Sequence, residues 1–245
     1  MNLSEILRRV AQKKEVLDSR RPLPAPALTN LKSYFDVEWT YNSNAIEGST
    51  LTLQETKVVI EHGLTIGGKT LTEHLEAVNH KHAIDFVEAL AKEDEPLTEH
   101  NIRQIHALIL KGIDDEEAGR YRRGQVLISG SSYVPPDAVA VPGLMMDFAK
   151  WLNDAGQTLT TLERAALAHF QLVHIHPFSD GNGRTARLLM NLILFRDGYP
   201  PTVIRNQDRL AYYTALDQAH GGDTGPFVLM VAEAVEKSLD VFLAA

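Results

Sequence analysis

Along the 245 residues, apolar positions recur mostly at three- and four-residue spacing, the period of amphipathic helices. Leu3, Ile6, Leu7 and Val10 predict a first helix, which Pro22, Pro24 and Pro26 end in a short extended connector. A second helix is expected from about residue 29 into the early forties, with Leu31, Phe35 and Trp39 near one face and Gly48 suited to its C-terminal cap. Thr52 with Glu55 forms a capping box for a third. Thr72 is the expected cap of a fourth, reaching towards Leu90, and Thr98 of a fifth, stopped by Gly112. The pattern then changes. Val126, Leu127 and Ile128 form a β-type run, residues 129–132 are turn-rich, and Tyr133 and Val134 return before two prolines, which predicts a β-hairpin. Helical spacing resumes over residues 143–153, 162–175, 184–196, 208–219 and 226–243. With no internal repeat, the pattern predicts a mostly α fold with one small hairpin.

The chemistry concentrates in residues 176–187, His-Pro-Phe-Ser-Asp-Gly-Asn-Gly-Arg-Thr-Ala-Arg, between two core helices. A glycine-bearing loop that enters a helix N-terminus is an anion site, because free backbone N–H groups and the helix dipole point at the bound charge. Arg184 and Arg187 lie three apart near that end. Asp180 can hold a hard divalent cation beside phosphates, and His176 can accept a proton near neutral pH. The parts needed to hold Mg-nucleotide and activate a hydroxyl are all local.

This stretch resembles the Fic motif, His-x-Phe-x-Asp/Glu-Gly-Asn-Gly-Arg-x-x-Arg, and every defining position matches. The resemblance implies a Fic-fold helical bundle that transfers a nucleotide monophosphate, usually AMP from ATP, to a Ser, Thr or Tyr hydroxyl of a protein. It implies that His176 is the base and that Asp180 binds Mg2+ (or Mn2+). Asn182 and the N–H groups around Gly181, Gly183 and Arg184 would cradle the phosphates. Arg184 would hold the β-phosphate and Arg187 the γ-phosphate, with Phe178 as a buried anchor. Doc-like relatives that phosphorylate carry lysine where this chain has Gly183, which favours AMP transfer; UMP or phosphocholine transfer stays open. Tyr213, with Tyr212, matches an aromatic position lining the nucleotide pocket, and His220 stands where close relatives have asparagine. The hairpin at Ile128, Ser129, Gly130 and Ser131 resembles the flap that aligns a target peptide by main-chain pairing.

Residues 43–48, Ser-Asn-Ala-Ile-Glu-Gly, match the family's inhibitory motif Ser/Thr-x-x-x-Glu-Gly/Asn. Ser43 and Glu47 are four apart and share a helix face. The resemblance implies that Glu47 pairs with Arg187, occupies the γ-phosphate site and restrains the enzyme. It extends from about Leu28 to Leu243 and is particularly close to the animal endoplasmic-reticulum members around residues 41–53 and 165–204. The expected organisation is an N-terminal helix and connector over residues 1–27, an inhibitory-helix region over 28–70 and a catalytic domain over 71–245. Expected partners are ATP, a protein substrate and the chain itself through self-modification, with a homodimer left open. Two other readings stand beside transfer: removal of AMP from a modified protein, with Glu47 positioning water, and a catalytically silent interaction module.

Composition narrows these readings. A net charge of −8 gives no basic footprint for nucleic acid. No apolar run approaches membrane-spanning length, and the first residues lack a signal-peptide core, so a cytoplasmic location is expected. The absence of cysteine excludes thiolate metal sites. Among the ten histidines, His80, His82 and His100 are expected on exposed helix faces, and His169 and His174 at packing positions. Residues 63–70 formally fit the P-loop pattern, but they follow the Thr52–Glu55 helix in a chain with almost no strands, so they are read as a connector.

Overall fold

The computed structural model describes residues 2–128, 130–154 and 158–245. Among them are ten helices: α1 (Leu3–Ser19), α2 (Ala25–Ile46), α3 (Leu53–His62), α4 (Leu71–Leu90), α5 (Glu99–Leu110), α6 (Val141–Asn153), α7 (Thr161–Ile175), α8 (Asn182–Arg196), α9 (Arg209–His220) and α10 (Gly225–Ala244). The mostly α fold is therefore as expected.

Four of the helices open on a reciprocal capping box: Thr52 with Glu55, Thr70 with Glu73, Thr98 with Asn101, and Thr160 with Glu163. Each box satisfies backbone N–H groups that a helix start leaves open. The cap of α4 is Thr70 and not Thr72: the Glu73 N–H donates to the Thr70 hydroxyl at 3.2 Å, and the Thr70 N–H donates to Glu73 at 2.9 Å. Thr70 is the last residue of the P-loop-like pattern, so that stretch is indeed the α3–α4 connector. Helix α2 begins at Ala25, earlier than expected, because Pro26 falls in its first turn, where a missing N–H costs nothing.

Helix α8 is the axis of the fold. Leu188, Leu189, Met190, Leu192, Ile193 and Leu194 are at or within 1% of complete burial. Each such side chain contributes about 1.5–3 kcal/mol on leaving water, which fixes the helix that carries the motif arginines. Helix α7 packs along α8 across the loop 176–181, while α4 and α5 cover other faces and α2 crosses near its start. Helix α1 lies on α10, where Arg9 forks onto Glu236 through two 2.8 Å hydrogen bonds. Ile6, Val10 and Leu17 of α1 join the same hydrophobic cluster as α8. His80 is 1% exposed, against the exposed position expected, with its Nδ1 3.3 Å from the Thr40 hydroxyl. A histidine between Ala77, Ala83 and Ile84 follows the apolar face of its helix.

The expected hairpin takes a different form. Residues 125–128 and 131–137 form neither helix nor strand, and the Ser131 N–H donates to the Ile128 carbonyl at 3.2 Å, but no strand ladder forms among the described residues. Pro135 and Pro136 lack the N–H groups a returning strand would need. Side chains fasten the loop instead: Gln125 donates to the Pro135 carbonyl at 2.9 Å, and Arg122 donates to the carbonyls of Gly124 and Pro136.

Candidate active site

His176 caps α7 in the left-handed conformation (φ 51°, ψ 58°), with its N–H donating to the Leu172 carbonyl at 2.9 Å. This conformation is unfavourable for a side chain bearing Cβ, so its surroundings must impose it. Arg122 supplies the restraint. Its Nε donates to the His176 carbonyl at 2.8 Å, and its backbone N–H donates to the Pro177 carbonyl at 2.9 Å. His176 Nδ1 lies 3.3 Å from the Val173 carbonyl, so a proton on Nδ1 leaves Nε2 free to accept another. Burial, with the Arg122 charge beside it, lowers the His176 pKa below the ordinary histidine value and keeps the ring neutral at pH 7.

The loop is pinned from beneath. Phe178 is fully buried and stacks on His106, with centroids 3.6 Å apart and planes within 4°. The Gly119 N–H donates to His106 Nδ1 at 2.9 Å, so His106 Nε2 carries the proton it donates to the Asp180 carbonyl, also at 2.9 Å. Burial holds the His106 pKa down to about 4, which preserves that tautomer. Gly181 has φ 74°, and a Cβ there would lie 3.3 Å from His106. Asn182, expected to cradle phosphates, is 3% exposed and turned inward: it accepts from the Phe178 N–H at 2.9 Å and donates to the Phe178 carbonyl at 2.8 Å. Its carboxamide staples the loop across four residues.

Both arginines project from buried positions and both meet carboxylates. Arg184 forks onto Glu76 of α4 and Asp180, each at 2.8 Å. Arg187 is 1% exposed. It donates to Glu47 at 2.6 Å, to the Ser43 hydroxyl at 3.0 Å, to the Ser43 carbonyl at 2.9 Å and to the Tyr212 hydroxyl at 3.3 Å. Burial works against the Arg187 charge, and Glu47 and Tyr212 more than offset it. The Glu47 side chain stays 32% exposed and reaches the start of α8, where a Cβ on Gly183 would collide with its carboxylate. The last turn of α2 thus delivers an anion to the positive end of α8.

The aromatic residues separate. Tyr212 is 1% exposed and hydrogen-bonded to His169 at 3.0 Å, so it is a core support for Arg187 and not the pocket lining expected. Tyr213 is partly exposed, donates to the Ile46 carbonyl at 3.2 Å and stacks with the Arg209 guanidinium. In the flap, Gly130 is exposed and Ile128 is half-buried, while Ser131 donates to Asp217 of α9 at 2.5 Å. Ser129 lies outside the described residues.

Asp180 is the residue suited to a cation, with its side chain 71% exposed beside the loop. Among the described residues no group of three or more acidic or histidine side chains could enclose an ion. Mg2+ commonly takes one or two carboxylates and completes its shell with water and substrate phosphates, so a single exposed carboxylate suits it.

Glu76, Arg122 and His106 escaped the sequence reading. Glu76 had a signal, since it lies one turn before His80 on the α4 face that carries Ala77 and Ala83. Arg122 sits in an ordinary Arg-Arg pair, and His106 on an ordinary apolar helix face, so nothing local marked either.

The described helices contain none long and apolar enough to cross a membrane. The model of the Fic/DOC family matches residues 96–194. The chain is similar to Protein adenylyltransferase Fic of Nematostella vectensis, at 41% identity over 98% of this chain and 56% of that protein. It is also similar to Protein adenylyltransferase Fic of Drosophila melanogaster, at 40% over 94% and 48%. The chain thus spans about half the length of the curated relatives it matches. Among solved structures, Fic-1 (residues 134–508) of C. elegans superimposes with a TM-score of 0.87 and 36% identity, over 98% of this chain and 72% of that one. A Fic domain containing signaling protein from Bacteroides thetaiotaomicron gives a TM-score of 0.89 and 32% identity, over 96% and 97%.

Proposed function

Because the chain belongs to the Fic/DOC family, we propose that it transfers AMP from ATP to a protein hydroxyl, and that Glu47 restrains this reaction. The observation that carries the proposal is the arrangement around the start of α8. A neutral imidazole with a free Nε2 adjoins a helix N-terminus that holds two buried arginines, each paired with a carboxylate.

Nε2 of His176 accepts the proton of the attacking hydroxyl as its oxygen bonds to the α-phosphorus. The bond to the β-phosphate bridging oxygen breaks and pyrophosphate leaves. Arg184 and Arg187 hold the departing phosphates, and the N–H groups at the start of α8 face the charge that develops. Asn182 and His106 act indirectly, by fixing the loop. Mg2+ at Asp180 would supply positive charge to the triphosphate. Asp180 and the β-phosphate would both engage Arg184, so nucleotide entry loosens the Asp180–Arg184 pair.

Glu47 meets Arg187 where the γ-phosphate would. Two anions cannot share one guanidinium fork without repulsion, so ATP binds with its chain displaced from in-line geometry. The Glu47 carboxylate, part-exposed to solvent at the start of α8, also favours a second reading in which Glu47 positions water for AMP removal. One experiment separates them. Glu47→Gly, alone and with His176→Ala, is incubated with Mg-ATP, wild type is incubated with AMP-modified chain, and both are followed by peptide mass spectrometry. AMP adducts on Ser, Thr or Tyr that vanish in His176→Ala support transfer. Loss of AMP from the modified chain supports removal, and neither change contradicts both.

A further inference from the structure

The flap is tied to the site by an aromatic lock that the catalytic scheme does not use. Tyr133 stacks on His220 of α9, with centroids 3.8 Å apart and planes within 5°, and also lies 4.6 Å from the His174 ring. Its hydroxyl donates to the His174 carbonyl at 2.9 Å, two residues before His176. The two imidazoles meet through Nδ1 atoms 2.9 Å apart, and Phe170 lies 5.4 Å from each. Ser131 completes the lock: its hydroxyl donates to Asp217 and accepts from the Tyr133 N–H at 3.2 Å. Between these pins and the Arg122 clasp, Leu127 is 80% exposed and Val134 60%. Among the described residues, Val126 and Leu127 take part in no backbone pairing, so an edge for an added strand stays open.

We infer that Tyr133 is a positioning residue for the protein acceptor: through its stack on His220 and its bond to the His174 carbonyl, it sets the flap's open edge at a fixed height beside His176. This rests on the hydroxyl-transfer reading above. A peptide that pairs with a tethered edge presents its side chains at heights set by that edge, so loosening the tether weakens acceptor binding and leaves the phosphate contacts intact. The His174–His220 bond adds a condition. One ring must accept at Nδ1, so the bond survives while at least one imidazole is neutral. Burial lowers both pKa values, that of His220 to about 4, with the His174 ring adding to the effect. The groups facing the pair are Tyr133 from the flap, Asp217 from α9 and His176 beyond α7, and of these only Asp217 favours protonation of His220.

The test uses the full chain carrying Glu47→Gly, with Tyr133→Ala and the milder Tyr133→Phe added separately. Transfer is measured to a fixed pool of Ser- and Thr-containing decapeptides. Tyr133→Ala should raise the acceptor KM about ten-fold, the size of effect expected from one lost part-buried hydrogen bond and its stack, with the ATP KM unchanged. Tyr133→Phe should fall between. A parallel rise in the ATP KM, or an unchanged acceptor KM, overturns the inference. Hydrogen exchange gives a readout independent of transfer: amides of residues 126–134 should exchange faster in Tyr133→Ala while α7 and α9 keep their protection. Unchanged exchange defeats the inference on its own. If the parent transfers nothing yet exchange responds, the tether stands, but the transfer reading and the acceptor role that rests on it fall together.

Discussion

Replacing Glu47 by glycine should activate the enzyme by removing the competitor for Arg187. The ion pair is short, at 2.6 Å, with its arginine 1% exposed and its carboxylate 32% exposed. For charge centres about 4 Å apart, Coulomb's law at an effective dielectric near 20 gives about 4 kcal/mol. Solvent on the Glu47 side brings that to about 2–4 kcal/mol. Released to the γ-phosphate, this corresponds to roughly a 30- to 900-fold gain in the rate at fixed ATP. Arg187 should stay in place, because Ser43 and Tyr212 still accept three of its hydrogen bonds. It would, however, be a buried cation without its counter-ion, so the variant should also melt lower than wild type in the absence of nucleotide and recover more on adding ATP. The assay is self-modification with labelled ATP, paired with thermal melts with and without nucleotide. Glu47→Gln should activate partly. Full activity surviving in Glu47→Gly with Arg187→Ala would refute the reasoning, as would no activation in the single variant.

Three further outcomes follow from the same geometry. His176→Ala should abolish transfer with ATP affinity retained by calorimetry; in the activated background the acid limb of kcat/KM should lie below pH 6.5, because burial lowers the His176 pKa and the neutral, active ring persists as pH falls towards it. Gly183→Ala should activate wild type by driving the Glu47 carboxylate from the start of α8, and should activate Glu47→Gly no further, as read from initial rates. Asp180→Ala, or EDTA with the unmodified site, should remove most transfer; full activity in EDTA would exclude a metal at Asp180.

The helices and the motif loop were legible because their signals are local. Periodicity placed α4 to α10, and the glycines, arginines and histidine of residues 176–187 are contiguous. What sequence could not show was where polar side chains turn once packed. Asn182 has the chemistry to touch phosphate, yet its carboxamide closes on Phe178, because a buried loop must satisfy its own backbone first. Tyr212 and Tyr213 are neighbours in sequence, but consecutive helix positions point about 100° apart, so one supports Arg187 from the core and the other meets the end of α2. Thr70 was obscured by the P-loop-like pattern that contains it. Glu76 and Arg122 gain their roles only through partners 108 and 54 residues away. The flap read as a hairpin because a β-type run, a turn-rich stretch and a returning apolar pair follow one another, whereas its prolines leave it fastened by side chains.

The most direct test of the central claim, that this site transfers AMP, is a dual-label experiment on the Glu47→Gly chain. Parallel incubations with Mg-ATP labelled at the α-phosphate or at the γ-phosphate are resolved on a denaturing gel. AMP transfer leaves protein-bound label only from the α position, because pyrophosphate carries the γ-phosphate away. Label retained only from the γ position would identify phosphorylation instead, and no label from either would contradict the account.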